Sequence, residues 1–298
     1  MSFSLKNTTA TIQKWMLRFF IFIIPLSSFS QKKDFIAYED SLCQIAPSIL
    51  QGKNDLERQN ANDKFLALLE PVLDQEKSMK YSFDSLSTIS ILSSKDKKVR
   101  IINWVIPQDN GTFNYYGIVQ FYNNQNKYKV AYLEPIQEEL REAEKMKLIN
   151  NQWIGALYYQ LETIKRGKRK YYVLLGWDGN DDRSNKKIAD VLSIGRELTF
   201  GAPIFKLGKK PQNRFIIEYK EDASASMKFI EKEQRILYSH LIPLSQGVEG
   251  LYDFYVPDGS VNALNLKNGK FVYEGNVENL QKTTIPKRKK IGGGLFPK

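Results

Sequence analysis

The chain has 298 residues, a formal net charge of +11, one cysteine and one histidine. A lone cysteine, Cys43, cannot form an intrachain disulfide, and one Cys with one His argues against a multi-ligand transition-metal centre. The charge is concentrated at the ends: three cations precede residue 31 and six follow residue 281, neither stretch holding an acid, so residues 31–281 carry only +2. A nearly neutral body argues against nucleic acid as its partner.

Residues 1–30 read as a signal peptide. Lys6, Lys14 and Arg18 form a positive n-region, Phe19–Leu26 a short apolar h-region, and Ser28-Phe29-Ser30 a small-residue cleavage site before Gln31. A retained membrane anchor is the rival reading, but a spanning helix needs about 20 apolar residues. Cys43 lies too far beyond the apolar run for a lipoprotein anchor and reads as a small buried thiol on a helix. The expected location is the periplasm or the extracellular space, with no transmembrane span after cleavage.

Residues 31–80 show helical periodicity. Phe35, Tyr38, Leu42, Ile45 and Ile49 recur at spacings of three and four, ending at Gly52 and Asn54. A second run, from Asp55 to about Glu76, places Leu56, Phe65, Leu66, Leu69 and Val72 on an apolar face, with Pro71 expected to kink or split it.

From about Tyr81 the period shortens to two. Residues 100–106, 113–122 and 128–133 read as an antiparallel meander, joined through Asn110-Gly111 and Asn123–Asn126. A helical insertion is expected near 135–150, where Pro135 and Glu138-Glu139 precede Lys145 and Lys147 in the order a helix dipole favours. Trp153–Tyr159 fits either a short helix or a strand. A second hairpin, 158–164 with 171–177, flanks the basic loop 165–170, and further strands are expected at 187–194, 213–219, 225–231 and 235–241. Three more, at 251–256, 261–266 and 271–274, are separated by Pro257–Ser260 and Lys267–Lys270 turns. No fixed repeat argues for a propeller. The last segment, 279–298, reads as a basic mobile tail.

Four groups invite chemistry. Gly176–Asp182 begins like a calcium loop, but Arg183 stands where the required glycine would be and no bidentate Glu follows, so an ordinary turn explains it. His240 would have to be the base of any Ser-His-Asp site, yet no G-x-S-x-G accompanies it. Glu218, Asp253 and Asp258 are the acids a carboxylate hydrolase would draw on, if the fold brought two together. Adjacent aromatics (Tyr115-Tyr116, Tyr158-Tyr159, Tyr171-Tyr172, with Trp177) would be half core and half exposed on half-buried strands. Gly292-Gly293-Gly294 lacks the strand–helix context of a phosphate loop.

Tyr171–Asp178, Lys187–Leu192 and Tyr255–Ser260 together resemble a group of secreted proteins from Bacteroidota-type bacteria, over roughly residues 98–275. That group has no assigned activity. The resemblance implies export and transfers no site residue.

The sequence therefore predicts a mainly β protein, α+β overall: a signal peptide (1–30), an N-terminal helical segment (31–80), an antiparallel meander, sandwich or barrel-like domain (81–278) and a tail. No catalytic residue can be designated, and no cofactor or metal site is expected. The reading leans against catalysis, toward a binding or envelope-associated protein. Its alternative is a carboxylate-dependent hydrolase of an envelope or extracellular polymer. The partner is undefined beyond an envelope component or a polyanion held by loop 165–170 and the tail.

Overall fold

The computed structural model describes residues 26–136, 140, 142–275 and 277. The n- and h-regions of the expected signal and the basic tail lie outside these residues. Helix α1 (Leu26–Gln51) contains the Ser30–Gln31 junction. From Phe35 onward its side chains are described, and Phe35 itself is buried.

The helices form because each offers one apolar stripe to a sheet. In α1 the stripe is Phe35, Leu42, Ala46 and Ile49, with Glu39 buried among them. Glu39 is tolerated there because Tyr81 Oη and Ser85 N both donate to it. Tyr38, expected inside, is exposed, displaced by Glu39 on the inner face. Helix α2 (Asp55–Leu73) starts at Asn54, whose side chain accepts from Glu57 N at 2.9 Å. Arg58 then ties its first turn to the sheet by bridging Asp55 and Asp109. Leu56 is exposed, and Pro71 does not split the helix, which runs on to Leu73.

Three sheets follow. Sheet 1 is the meander β1 (Ser90–Ser93), β2 (Val99–Pro107), β3 (Phe113–Tyr122) and β4 (Tyr128–Leu133). Sheet 2 contains β5 (Leu148–Ile149), β6 (Leu157–Arg166), β7 (Arg169–Asp178), β8 (Ser184–Ile194) and β9 (Leu198–Phe200). One edge of β8 pairs with β7, and the other pairs in succession with β9 and with β11 (Phe215–Lys220). Sheet 3 is ordered β10 (Phe205–Lys206), β15 (Lys270–Glu274), β14 (Tyr255–Lys267), β13 (Arg235–Pro243), β12 (Met227–Ile230). Among the described residues, only β10 with β15 is a parallel pair between strands.

The layers stack as helices, sheet 1, sheet 2, sheet 3. Ile102, Trp104 and Ile106 of β2 pack with the helices. Val99 and Ile101, on its other face, meet Tyr172 and Leu174 of β7. Tyr171, Val173 and Leu175 in turn meet Phe229, Ile236, Leu264 and Phe271 of sheet 3. β2 and β7 are therefore buried on both faces, which explains the unbroken apolar run Tyr171–Trp177 of β7, while β2 carries buried Arg100 and Asn103 within its own. Tyr171 and Tyr172 are both core residues, against the expected half-exposed pair, because sheet 2 has no solvent face there.

Two expected elements are corrected. The insertion near 135–150 has no α-helix among its described residues. Pro135 bridges Trp153, Ala143–Lys145 forms one 3-10 turn, and Leu148-Ile149 is a strand. Residues 137–139 and 141 lie outside the described set. Tertiary donors hold this segment: Arg214 donates to the Ala143 and Met146 carbonyls, and Asn213 N to Glu144 O at 2.7 Å. Trp153–Tyr159 is not a helix: Trp153 bridges Pro135, the chain turns at Gly155 with φ 76°, and β6 begins at Leu157. Pro257–Ser260 does not end a strand, because β13 pairs with β14 on both sides of it. Between the Ser239–Val261 and Leu241–Pro257 pairs, the single residue His240 faces the three residues Asp258–Ser260, so the turn chemistry makes a bulge. Residues 251–254, expected as strand, are mostly a 3-10 turn, Tyr252–Phe254.

Candidate functional site

Antiparallel connectivity gathers the turns at two ends of the stack. One end carries the β1–β2, β3–β4, β6–β7 and β8–β9 turns, and the other carries β2–β3, β7–β8 and the β11–β12 loop. Each end holds a large cleft.

The first end is basic. Its cleft, about 950 Å³, is lined by Lys98, Lys147, Lys168, Arg169, Lys170 and Arg196, with Glu197 the only acid among the described lining residues. The β6–β7 hairpin places three of these: Arg166 pairs with Arg169, leaving the two-residue turn Gly167-Lys168 with Gly167 at φ 59°. Glycine at the first turn position suits a hairpin turn matched to strand twist. Lys170 is engaged by Asp96 at 2.8 Å, which pulls the Asp96 carboxyl down despite its desolvation. Lys98 sits over the Tyr122 ring, 5.0 Å from its centroid. Among the described residues no carboxylate pairs with Lys147, Lys168, Arg169 or Arg196. Sequence reasoning found 165–170 but missed Lys98, Lys147 and Arg196, which reach the cleft only through the strand topology.

The opposite end is aromatic. Its cleft, about 920 Å³, is lined by Phe113, Tyr159, Trp177, Tyr219 and Lys187, and by the β11–β12 loop. Tyr159 reaches it because β6 slips register between Tyr158 and Gln160, making Tyr159 the extra residue of a bulge. Its hydroxyl donates to Met227 O at 2.9 Å, which joins β6 to the edge strand β12. Lys187 lies on β8 opposite Trp177 and Ile217, with Nζ 5.3 Å from the Tyr159 ring centroid. Burial pulls its pKa down to about 8. Among the described residues it has no carboxylate partner. Sequence reasoning had passed over this residue, since nothing local distinguishes it.

The expected sites separate. In the Gly176–Asp182 loop the acids serve the turn. Asp178 accepts from Tyr115 Oη at 2.8 Å and Asn180 N at 2.9 Å, and Asp181 accepts from Arg183 N and Ser184 N. Burial raises the Asp178 pKa. No cluster of three potential metal ligands occurs among the described residues. Glu218 accepts from Ser184 Oγ at 2.7 Å, and Asp253 lies 3.9 Å from Arg183. Asp258 meets His240 Nδ1 at 3.0 Å and is lowered to about 2, chiefly by Ser260, which donates to it through both hydroxyl and backbone N–H. Ser260 thus addresses the acid and not the imidazole, unlike a nucleophile–base–acid chain. None of Glu218, Asp253 and Asp258 lines the aromatic or the basic cleft.

No helix among the described residues is long and apolar enough to cross a membrane. No family model, no curated protein and no solved structure matches this chain.

Proposed function

We propose that the chain is an exported, non-catalytic binding protein of the cell envelope, and that its basic cleft holds an anionic polysaccharide bearing phosphate or sulfate groups. The observation carrying this reading is the convergence of six cations from three turns and the segment entering β5, four of them without a carboxylate partner among the described residues. Such a surface releases counterions when a polyanion binds, which gives affinity with a steep salt dependence. The non-catalytic part leans on the carboxylates: Glu218, Asp253 and Asp258 each have a cation or hydroxyl partner, and none of them lines the aromatic or the basic cleft, which disfavours the hydrolase alternative. Export rests on the n-region, h-region and cleavage-site pattern of residues 1–30.

Retention on immobilised dextran sulfate tests the binding claim. Replacing Lys147, Lys168, Arg169 and Arg196 with Gln should reduce the slope of log affinity against log salt by about 3, near 0.7–0.9 per lost contact. An unchanged slope would overturn the cleft assignment. A chain ending at Lys270 would lose β15, so the tail is tested separately by stopping after Gln281. Loss of retention there alone would move the site to the tail. Mass measurement of the secreted product should show Gln31 as its first residue.

A further inference from the structure

The aromatic cleft holds a feature that polysaccharide binding at the other end does not use. Lys187 stands on the face of sheet 2 that Ala189 and Val191 continue into the core, and its amine ends beneath Tyr159. Of the cations discussed above, Arg58, Lys170 and Arg183 meet carboxylates and Arg214 meets two backbone carbonyls. Lys187 instead faces aromatic walls from β3, β6, β7 and β11.

We propose that Lys187 is a reactive amine which captures a ring-bearing aldehyde or ketone in this cleft as an imine. Three observations on the geometry support it. The amine is desolvated by aromatic walls and lacks a carboxylate that would hold its proton. The cleft has the ~300–1,000 Å³ typical of small-molecule pockets. Its rings offer flat faces for stacking a planar substituent. The Tyr159 face favours the ammonium form through its quadrupole, but desolvation outweighs this, so the amine is pulled down to about 8. The other charged or titratable groups at the cleft are Tyr159, Tyr219, Asp181, Asp182, Glu221 and Lys228. Asp182, Glu221 and Lys228 are exposed, and Asp181 is bound to Arg183. An acidic rim disfavours an anionic ligand and leaves a neutral carbonyl compound unaffected.

The step balances without a redox partner. The Nζ lone pair attacks the carbonyl carbon, a C–N bond forms, and the carbonyl π pair moves to oxygen. Proton transfer through water from nitrogen to that oxygen gives the carbinolamine. Loss of the oxygen as water leaves the C=N bond, and hydration reverses it.

Reductive labelling of the intact protein at pH 7 tests the proposal, with 4-hydroxybenzaldehyde as probe, cyanoborohydride to fix the imine, and peptide mapping to locate it. An amine near 8 is neutral roughly three-hundredfold more often at pH 7 than an ordinary lysine at 10.5. Even after its lower intrinsic nucleophilicity is discounted, Lys187 should label at least about tenfold faster than exposed lysines such as Lys168. Labelling no faster than Lys168 would overturn the proposal. Butanal, which has no ring, should lose most of that preference, and equal selectivity with it would refute the ring-binding part. Retention on dextran sulfate is read separately, so the two sites stand or fall independently.

Discussion

Asp190 Oδ1 lies 3.3 Å from Nε of Arg214, with both side chains wholly withdrawn from solvent. The pair is the centre of a buried polar chain. Trp153 Nε1 donates to Tyr158 Oη, Tyr158 Oη donates to Asp190, and Arg214 reaches the carbonyls of Ala143 and Met146. Sheet 2 is thereby fastened to the segment that the sequence read as a helix.

Removing one partner leaves the other charged, buried and unpaired. Asp190→Asn or Arg214→Met alone should destabilise by about 3–5 kcal/mol, as such breaks generally do. The double variant should cost less than the two singles added together, since neither charge is then stranded. Urea unfolding of the three variants checks this. Strict additivity would mean that the two groups act separately.

A second buried contact joins the helices to sheet 1. Trp104 Nε1 donates to Asn62 Oδ1 at 2.8 Å, and both residues are buried. Asn62→Leu keeps the apolar volume but strands the indole N–H, so a loss of about 1–3 kcal/mol is expected. Near-ultraviolet dichroism should change as well, because Trp104 stacks on Tyr116 with ring centroids 5.5 Å apart. A variant as stable as the parent would show that the indole finds another acceptor.

Much of the architecture was legible locally. Phe35, Leu42 and Ile49 mark one helix face at any scale of inspection, and Asn268-Gly269, both at positive φ, declares its hairpin outright. What stayed hidden depends on distant partners. Glu39 is inside because Tyr81 and Ser85 come to it, and an apolar count treats it as surface. The mainly β class was readable, but the sandwiching of β7 between two sheets was not, since an unbroken apolar run fits several kinds of burial. For the sites the gap is wider. Loop 165–170 was visible as a charge cluster, whereas Arg196 joins it only after β8 and β9 fold back. Lys187 is notable for a carboxylate it does not meet, and no local pattern can report that.

Two glycines in the turns at the basic end separate backbone strain from close contact. Gly167, at φ 59°, has nothing near the position of a Cβ. Gly269, at φ 71°, would place a Cβ 2.7 Å from Lys165 O and 2.8 Å from Arg166 Cα, both backbone atoms of the neighbouring hairpin. Gly167→Ala should therefore cost only the left-handed strain, about 1–2 kcal/mol. Gly269→Ala adds a collision that side-chain rotation cannot relieve, and should cost clearly more. Equal losses in thermal or urea unfolding would show that the β14–β15 turn does not bear on the β6–β7 hairpin.

The position of Lys187 also predicts how stability varies with pH. Its pKa is pulled down to about 8 in the fold by burial, from an ordinary 10.5. Between those values the unfolded chain binds more protons than the folded one, so this residue makes stability rise with pH. The penalty for holding a buried ammonium is fully present below pH 8 and gone above about 10.5. Its size is up to about 3 kcal/mol from the shift, and nearer 2 after allowing for the open side of the cleft. Many tyrosines and lysines titrate in the same window, so the quantity to measure is the difference between the parent and Lys187→Met. The Met variant should be the more stable at pH 7.5, and the parent should recover about 2 kcal/mol relative to it by pH 10.5. Parallel curves across that interval would mean that the amine reaches water in solution and carries no desolvation penalty to relieve.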